Sequence, residues 1–576
     1  MTDLTVAQCV ANALRRHGVD VIFGQSLPSA VILACEAIGI RQLAYRQENM
    51  GGAMADGFAR ASGRIAVVAA QNGPAATLLV PPLAEALKAS VPIVALVQEV
   101  ERSQFDRNAF QELDHVALFS SCTKWVRRII TPDRVDDYID AAFVAAGSGR
   151  PGPAVLLLPA DLLRETAVPP ARTRRSNLGA WPIDRTRPAD AEIHEAAVLI
   201  AAAKMPVVVA GGGATSRAAS AALVKLQETA HLPVFTTNMG KGAVDETYPL
   251  SAGVLGALVG PRSLGRRTRP MIEQADLIIL VGTRTNQNGT DSWRMIPPGT
   301  RVIHIDVDPN EVGRNYEALR LVGDAATTLE ALCVSLRQLD LSSRRGARAM
   351  LEQRIAAAWS QFEADRSSLA GNNGLPVRPE RVMRELQTRM SPEMILVADA
   401  SYSSMWIVGQ LRGLRAGQRF LTPRGLAGLG WGLPLAIGAK VACPSSQVVA
   451  LVGDGGFAHS WAELETMVRS GVAVVTIVLN NGILGYQKDA ETVKFGTNTT
   501  ACHFAPVDHA AIARACGCGA TTVTRPGDLG VALDEAFAAE RSWLIEVVTD
   551  PDAHPPISLY DGTLDREICE AAVSGI

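Results

Sequence analysis

The chain has 576 residues and a formal net charge of −3, with 55 Lys and Arg against 58 Asp and Glu. That balance excludes the basic footprint of a nucleic-acid binder, and no apolar run is long enough to span a bilayer. With 48% hydrophobic residues and 50 glycines, there is material for about two to four domains with full cores.

The opening MTDLTVAQCVANALRRHG reads as an amphipathic helix capped by Thr or Asp, with no signal-peptide core. Short Val, Ile and Leu runs then alternate with Ala-rich helical stretches. They are RIAVVAAQNG (64–73), VPIVALVQE (91–99), PAVLLLPAD (153–161), PVVVAGGG (206–213), DLIILVGTR (276–284), VIHIDVDP (302–309), ILVADAS (395–401), VVALVGDGG (448–456) and VVTIVLNN (474–481). Runs apolar on both faces and separated by helices indicate buried parallel strands in βα units. A Pro- and Arg-rich stretch at 164–192 reads as a linker, and a helix with a Gly-rich loop ending near Glu380 reads as a second junction. The expected fold is α/β, with three doubly wound parallel-sheet domains over residues 1–170, 188–340 and 375–576. The nine cysteines have no framework spacing, and Cys516-x-Cys518 lacks a second pair. They read as buried small hydrophobes in a reducing, cytoplasmic setting.

In VVALVGDGG, Asp454 falls where a strand ends and a Gly-rich turn begins, the edge at which open α/β sheets bind ligands. Gly453, Gly455 and Gly456 suit close approach of a phosphate, and a helix expected from about Ser460 points at the same place. A carboxylate repels phosphate, so Asp454 makes sense there with a divalent cation between the two. Mg²⁺ commonly bridges protein oxygens to a diphosphate. Asn481, at the end of the next strand, offers an amide oxygen on the same edge.

Gly453-Asp454-Gly455 through Asn480-Asn481 resembles the thiamine diphosphate (ThDP) signature of the pyruvate oxidase and acetolactate synthase superfamily. The resemblance implies that Asp454, the Asn481 side chain and the backbone oxygen of Ile483 hold Mg²⁺ on the ThDP diphosphate, with Gly453, Gly455, Gly456 and Phe457 around it. The segment 45-YRQENMGGAMADGFARASG-63 is similar to the one carrying the family's cofactor-activating glutamate, here Glu48, for which an apolar setting is expected. QNGPAAT (71–77) stands where the family has a Ser-Gly-Pro-Gly-Ala-Thr turn, which makes Pro74 a cofactor neighbour. RNAFQELDHVALFSSCTKWV (107–126) implies that Phe110 and Gln111 reach the active site. RGLAGLGWGLPLAIGA (424–439) matches the segment that puts an apolar residue under the bent cofactor; here it is Leu429, where acetolactate synthases usually have Met.

The resemblance implies decarboxylation of a 2-oxo acid followed by carboligation. It also implies a homodimer or homotetramer in which Glu48 of one subunit meets Asp454 of another. It is silent on a regulatory subunit. The middle domain is left open between FAD, ADP and no ligand: Gly211–Gly213, Thr237–Met239, Gly282–Arg284 and Asp306–Asp308 stand at the family's FAD contacts, but Asn286 and Asn288 replace the usual Asp and Arg. Gly-Gly-Gly after VVVA does not fit G-x-G-x-x-G, so a nicotinamide oxidoreductase has no motif here. Acetolactate synthases carry a substrate-selecting Trp nine residues after the Asn481 position, and this chain has Ala490, preceded by Tyr486, Gln487 and Lys488. A lyase acting on a 2-hydroxyacyl-CoA or an oxalyl-CoA decarboxylase-like enzyme is the alternative, and a non-catalytic ThDP-fold subunit is the alternative of another class. His115 and His459 read as packing or hydrogen-bonding residues.

Overall fold

A computed structural model describes residues 4–167 and 173–564; part of the Pro- and Arg-rich stretch lies outside them. Three six-stranded sheets, every pair parallel, follow one another along the chain. The N-terminal sheet runs, in spatial order, Arg41–Leu43, Val21–Gly24, Ala66–Ala70, Ile93–Glu99, Ala154–Pro159, Trp125–Arg128. The C-terminal sheet runs Phe420–Leu421, Ile395–Ala398, Val448–Gly453, Val475–Asn480, Trp543–Val548, Gly519–Val523. Numbered within each domain, both orders are 2-1-3-4-6-5, so the two domains are topological twins. The middle sheet differs: Leu319–Val322, Arg301–Asp306, Leu277–Val281, Pro206–Ala210, Val234–Thr236, Ser251–Val254. All nine apolar runs read from the sequence are interior strands, and each sheet is covered by helices on both faces, as the all-parallel pairing demands.

The first helix, Val6–Arg16, is capped by Thr5 through a capping box with Gln8. The helix Ser342–Ala370 lays Leu351, Ile355, Trp359 and Phe362 into one core of the middle sheet. Among the described residues no helix is long and apolar enough to cross a membrane, and all cysteines are free thiols.

The largest contact between the twin domains is a helix pair. Glu48–Ser62 and Gly432–Ala442 each follow the second strand of their domain, and they pack against each other along their length. Backbones touch there: a Cβ at Gly57 would overlap the Leu435 carbonyl, and one at Gly438 would overlap that of Met54. The small-residue stretch GGAMADGFARASG is therefore an interdomain contact that only glycine permits at these two points. One apolar core runs through it, joining Met50, Met54 and Phe58 to Leu433, Leu435 and Phe457.

Candidate active site

The strand Val448–Gly453 delivers Asp454 to the carboxyl edge of the C-terminal sheet, and Val475–Asn480 delivers Asn481 beside it. Both line one cavity with Leu429, Gly453, Gly455, Gly456 and Ile483. Asp454 is only 6% exposed. Its Oδ2 accepts the Gly482 N–H at 2.8 Å, and among the described residues it makes no ion pair. Burial pushes its carboxyl up to about 6 against the opposing pull of backbone N–H groups from Gly482 and Gly455. Of the amide pair, Asn480 turns away to Glu546 (2.7 Å), whereas Asn481 faces the cavity and its Oδ1 accepts the Ile483 N–H at 3.2 Å.

Two expectations are corrected. No single helix starts at Ser460: Asp454–Phe457 forms its own turn and a second helix starts at Glu463. Phe457 does not line the cavity; it is fully buried, its ring 5.7 Å from that of His509. Gly455 and Gly456 are glycines for packing as well, since a Cβ at Gly455 would press on Phe504 and Leu484, and one at Gly456 would overlap Asp399.

The sequence reading missed the other wall. Asp399, Ser401, Tyr402 and Ser403, just past the strand Ile395–Ala398, also line the cavity. The signal was available: ILVADAS puts a carboxylate at a strand's carboxyl edge, as VVALVGDGG does. Asp399 is 1% exposed and accepts the N–H groups of Gly430 (3.0 Å), Trp431 (3.1 Å) and Gly432 (3.3 Å), fixing the turn that presents Leu429. Tyr402 packs edge-on against Tyr486, and its hydroxyl meets Asp489 and Tyr560, both at 2.6 Å.

Glu48, Pro74, Phe110 and Gln111 do not line this cavity in a single chain. They gather at the equivalent edge of the N-terminal sheet, following the strands Arg41–Leu43, Ala66–Ala70 and Ile93–Glu99. Glu48 opens its helix, half-buried in the single chain, and its carboxylate has no hydrogen-bond or ion partner among the described residues. Its approach is held from the C-terminal domain, where the buried Glu463 carboxylate accepts the N–H of Arg46 (3.1 Å) and of Gln47 (3.2 Å). Gln111 adopts φ 62° and accepts from Gln71 at 2.6 Å, while Asn72 donates to its carbonyl at 3.1 Å. Phe110 beside it is 84% exposed. His115 is a buried hydrogen-bonding residue, accepting the Gly73 N–H at 3.1 Å and facing Glu99 at 3.3 Å. His459 is exposed beside Gly430.

In the middle domain a second pocket collects Gly212, Gly213, Thr237, Met239, Thr283, Asn286, Asn288 and Asp306, with Arg284 and Arg424. Burial pushes Asp306 up to about 6. Arg284 and Arg424 have no carboxylate partner among the described residues. Burial lowers both guanidinium groups, that of Arg424 to about 10.

Comparison with known families decides what these edges are. Residues 4–118, 193–332 and 399–547 match, respectively, the N-terminal TPP binding domain, the central domain and the C-terminal TPP binding domain of the thiamine pyrophosphate enzymes. The chain belongs to this family. Similar relatives include the probable acetolactate synthase large subunit of Methanocaldococcus jannaschii, 31% identical over 97% of this chain and 94% of that protein. The acetolactate synthase isozyme 2 large subunit of Escherichia coli is 30% identical over 94% and 95%. This thiamine pyrophosphate enzyme has residues that fit the cofactor. A buried carboxylate without a cation, Asp454, lines the cavity with Asn481 and Ile483 at a sheet edge, and a carboxylate, an amide oxygen and a carbonyl are donors that suit Mg²⁺ completed by diphosphate oxygens and water. The cavity itself carries no positive side chain to hold the diphosphate directly.

Asp454→Asn is expected to abolish the thermal stabilisation that Mg²⁺ with ThDP gives the wild type, about 2.7 kcal/mol at a hundredfold excess over Kd. Circular dichroism should be unchanged. A full shift retained by the variant would contradict the assignment.

Proposed function

We propose that this enzyme decarboxylates a 2-oxo acid, with pyruvate as the first donor, and joins the remaining fragment to a second 2-oxo acid, the activity denoted by its relatives' names. The observation that carries this reading is the convergence of Asp454, Asn481, Ile483 and Leu429 on one cavity. Bound ThDP supplies an electron sink for the carbon that loses CO₂. Asp454, Asn481 and the Ile483 carbonyl would hold Mg²⁺ and with it the diphosphate, and Leu429 would support the cofactor. Glu48, free of other partners, holds a proton at the aminopyrimidine ring, while Phe110 and Gln111 orient the substrate and exclude water. Because Glu48 and Asp454 lie on separate edges of one chain, the site is completed between two copies, in a homodimer or homotetramer.

The middle pocket is read as a nucleotide site, with Asp306 for ribose hydroxyls and Arg284 and Arg424 for phosphate. Two guanidinium groups without carboxylates favour ADP, with its terminal phosphate, over FAD.

Purified enzyme with ThDP, Mg²⁺ and a panel of 2-oxo acids should release CO₂ and yield acetolactate from pyruvate by mass spectrometry. Glu48→Gln should lose at least about 100-fold. Equal turnover by the variant would remove the assignment, and silence on every acid would turn the test to acyl-CoA substrates. For the middle pocket, ionised Asp306 is the better acceptor for ribose hydroxyls. Because its carboxyl is raised to about 6, affinity for ADP is complete above that pH and falls below it. Calorimetry should show about tenfold weaker ADP binding at pH 5 than at pH 7.5, and Asp306→Asn should flatten the profile. A flat wild-type profile would contradict this role.

A further inference from the structure

The loop 424–432 hangs between two buried carboxylates. At its far end Asp399 takes the N–H groups of Gly430, Trp431 and Gly432. At its near end Glu85, which belongs to the N-terminal domain, takes those of Gly425 (2.5 Å), Leu426 and Ala427 (3.1 Å). Three consecutive amides converging on one anion form a concave nest, and Glu85 is 1% exposed. Ala427 is held at φ 62°, a conformation a side chain rarely adopts, and a Cβ at Gly425 would overlap the Glu85 backbone. Only Gly428 and Leu429 are left between the two grips, and Leu429, 37% exposed, lines the cofactor cavity.

The arrangement has a twin. Glu85 lies on the helix Val80–Ala89, the second after the third strand of its domain; Glu463 opens the second helix after the third strand of the C-terminal domain. Each reaches into the other domain and takes backbone N–H groups of the connection between second strand and helix. For Glu463 that connection leads to Glu48, and for Glu85 it leads to Leu429.

We propose that Glu85 is a positioning residue for Leu429, through which the N-terminal domain sets the floor of the cofactor cavity in the C-terminal domain of the same chain. The proposal rests on the reading of Leu429 as a cofactor support, so its test separates the two. Binding of ThDP with Mg²⁺ to the full-length protein is measured by fluorescence titration for wild type, Leu429→Ala, Glu85→Gln and the double variant. Each single change is expected to raise Kd about tenfold, and the double variant about tenfold as well, because a side chain already misplaced has nothing further to lose. A general loosening of the fold would act independently of residue 429, so a double loss of about a hundredfold would overturn the proposal. Wild-type affinity in Glu85→Gln beside weakened Leu429→Ala would overturn it while leaving the Leu429 reading intact. Wild-type affinity in Leu429→Ala would remove both. Glu85→Asp keeps the charge but shortens the reach; it should bind better than Glu85→Gln, and it replaces that variant in the cycle if Glu85→Gln does not fold.

Discussion

The backbone contact between the helices Glu48–Ser62 and Gly432–Ala442 is the constraint on which the rest of the molecule depends. Gly57 and Gly438 bring the two axes close enough for carbonyls to occupy the space of missing side chains, and any larger residue would force the pair apart. Both helices begin at functional turns, one with Glu48 and the other with the Gly430–Gly432 amides that follow Leu429. Locking the helices together therefore fixes the relation between those turns in one chain. The same packing leaves Glu48 outside the cavity of its own Asp454, and on the proposed reading the active site is completed between two copies.

Buried charge distinguishes structure from site. Glu85, Asp399 and Glu463 are carboxylates taken out of water, a costly step unless hydrogen bonds compensate. Each is met by two or more backbone N–H groups. Asp454 also accepts a backbone N–H, from Gly482, and it lines the cavity with no ion pair among the described residues. Arg284 of the middle domain and Arg424 of the C-terminal domain line one pocket, and among the described residues neither makes an ion pair. In the proposed function Asp454 takes Mg²⁺ and the two arginines take a phosphate, whereas Glu85, Asp399 and Glu463 hold turns in place.

Much of this was legible in the sequence. Interior strands such as Val448–Gly453 are apolar on both faces and announce themselves, whereas edge strands such as Phe420–Leu421 and Gly519–Val523 are short or mixed in polarity and give no run to read. Asp454 and Asn481 were found because strand ends can be read. Asp399 was overlooked although ILVADAS marks a carboxylate at a strand end; what the sequence does not show is that it reaches the amides of a loop some thirty residues on. Glu85 and Glu463 look like ordinary helix-surface acids in the sequence; only the shared strand order of the twin domains, invisible as a repeat, brings each to the other's turn. Phe457 was misplaced because proximity to the Gly-Asp-Gly turn says nothing about which way a ring points.

The most direct test of the account is complementation between two inactive variants. Glu48→Gln and Asp454→Asn, purified separately, are each expected to lack carboligase activity. When they are unfolded and refolded together in equal amounts, half of the dimers are mixed and carry one intact site of two, so activity should return to about a quarter of wild type. No recovery, with mixed dimers demonstrated by mass spectrometry, would place Glu48 and Asp454 in the same chain's site and contradict the division of the active site between copies.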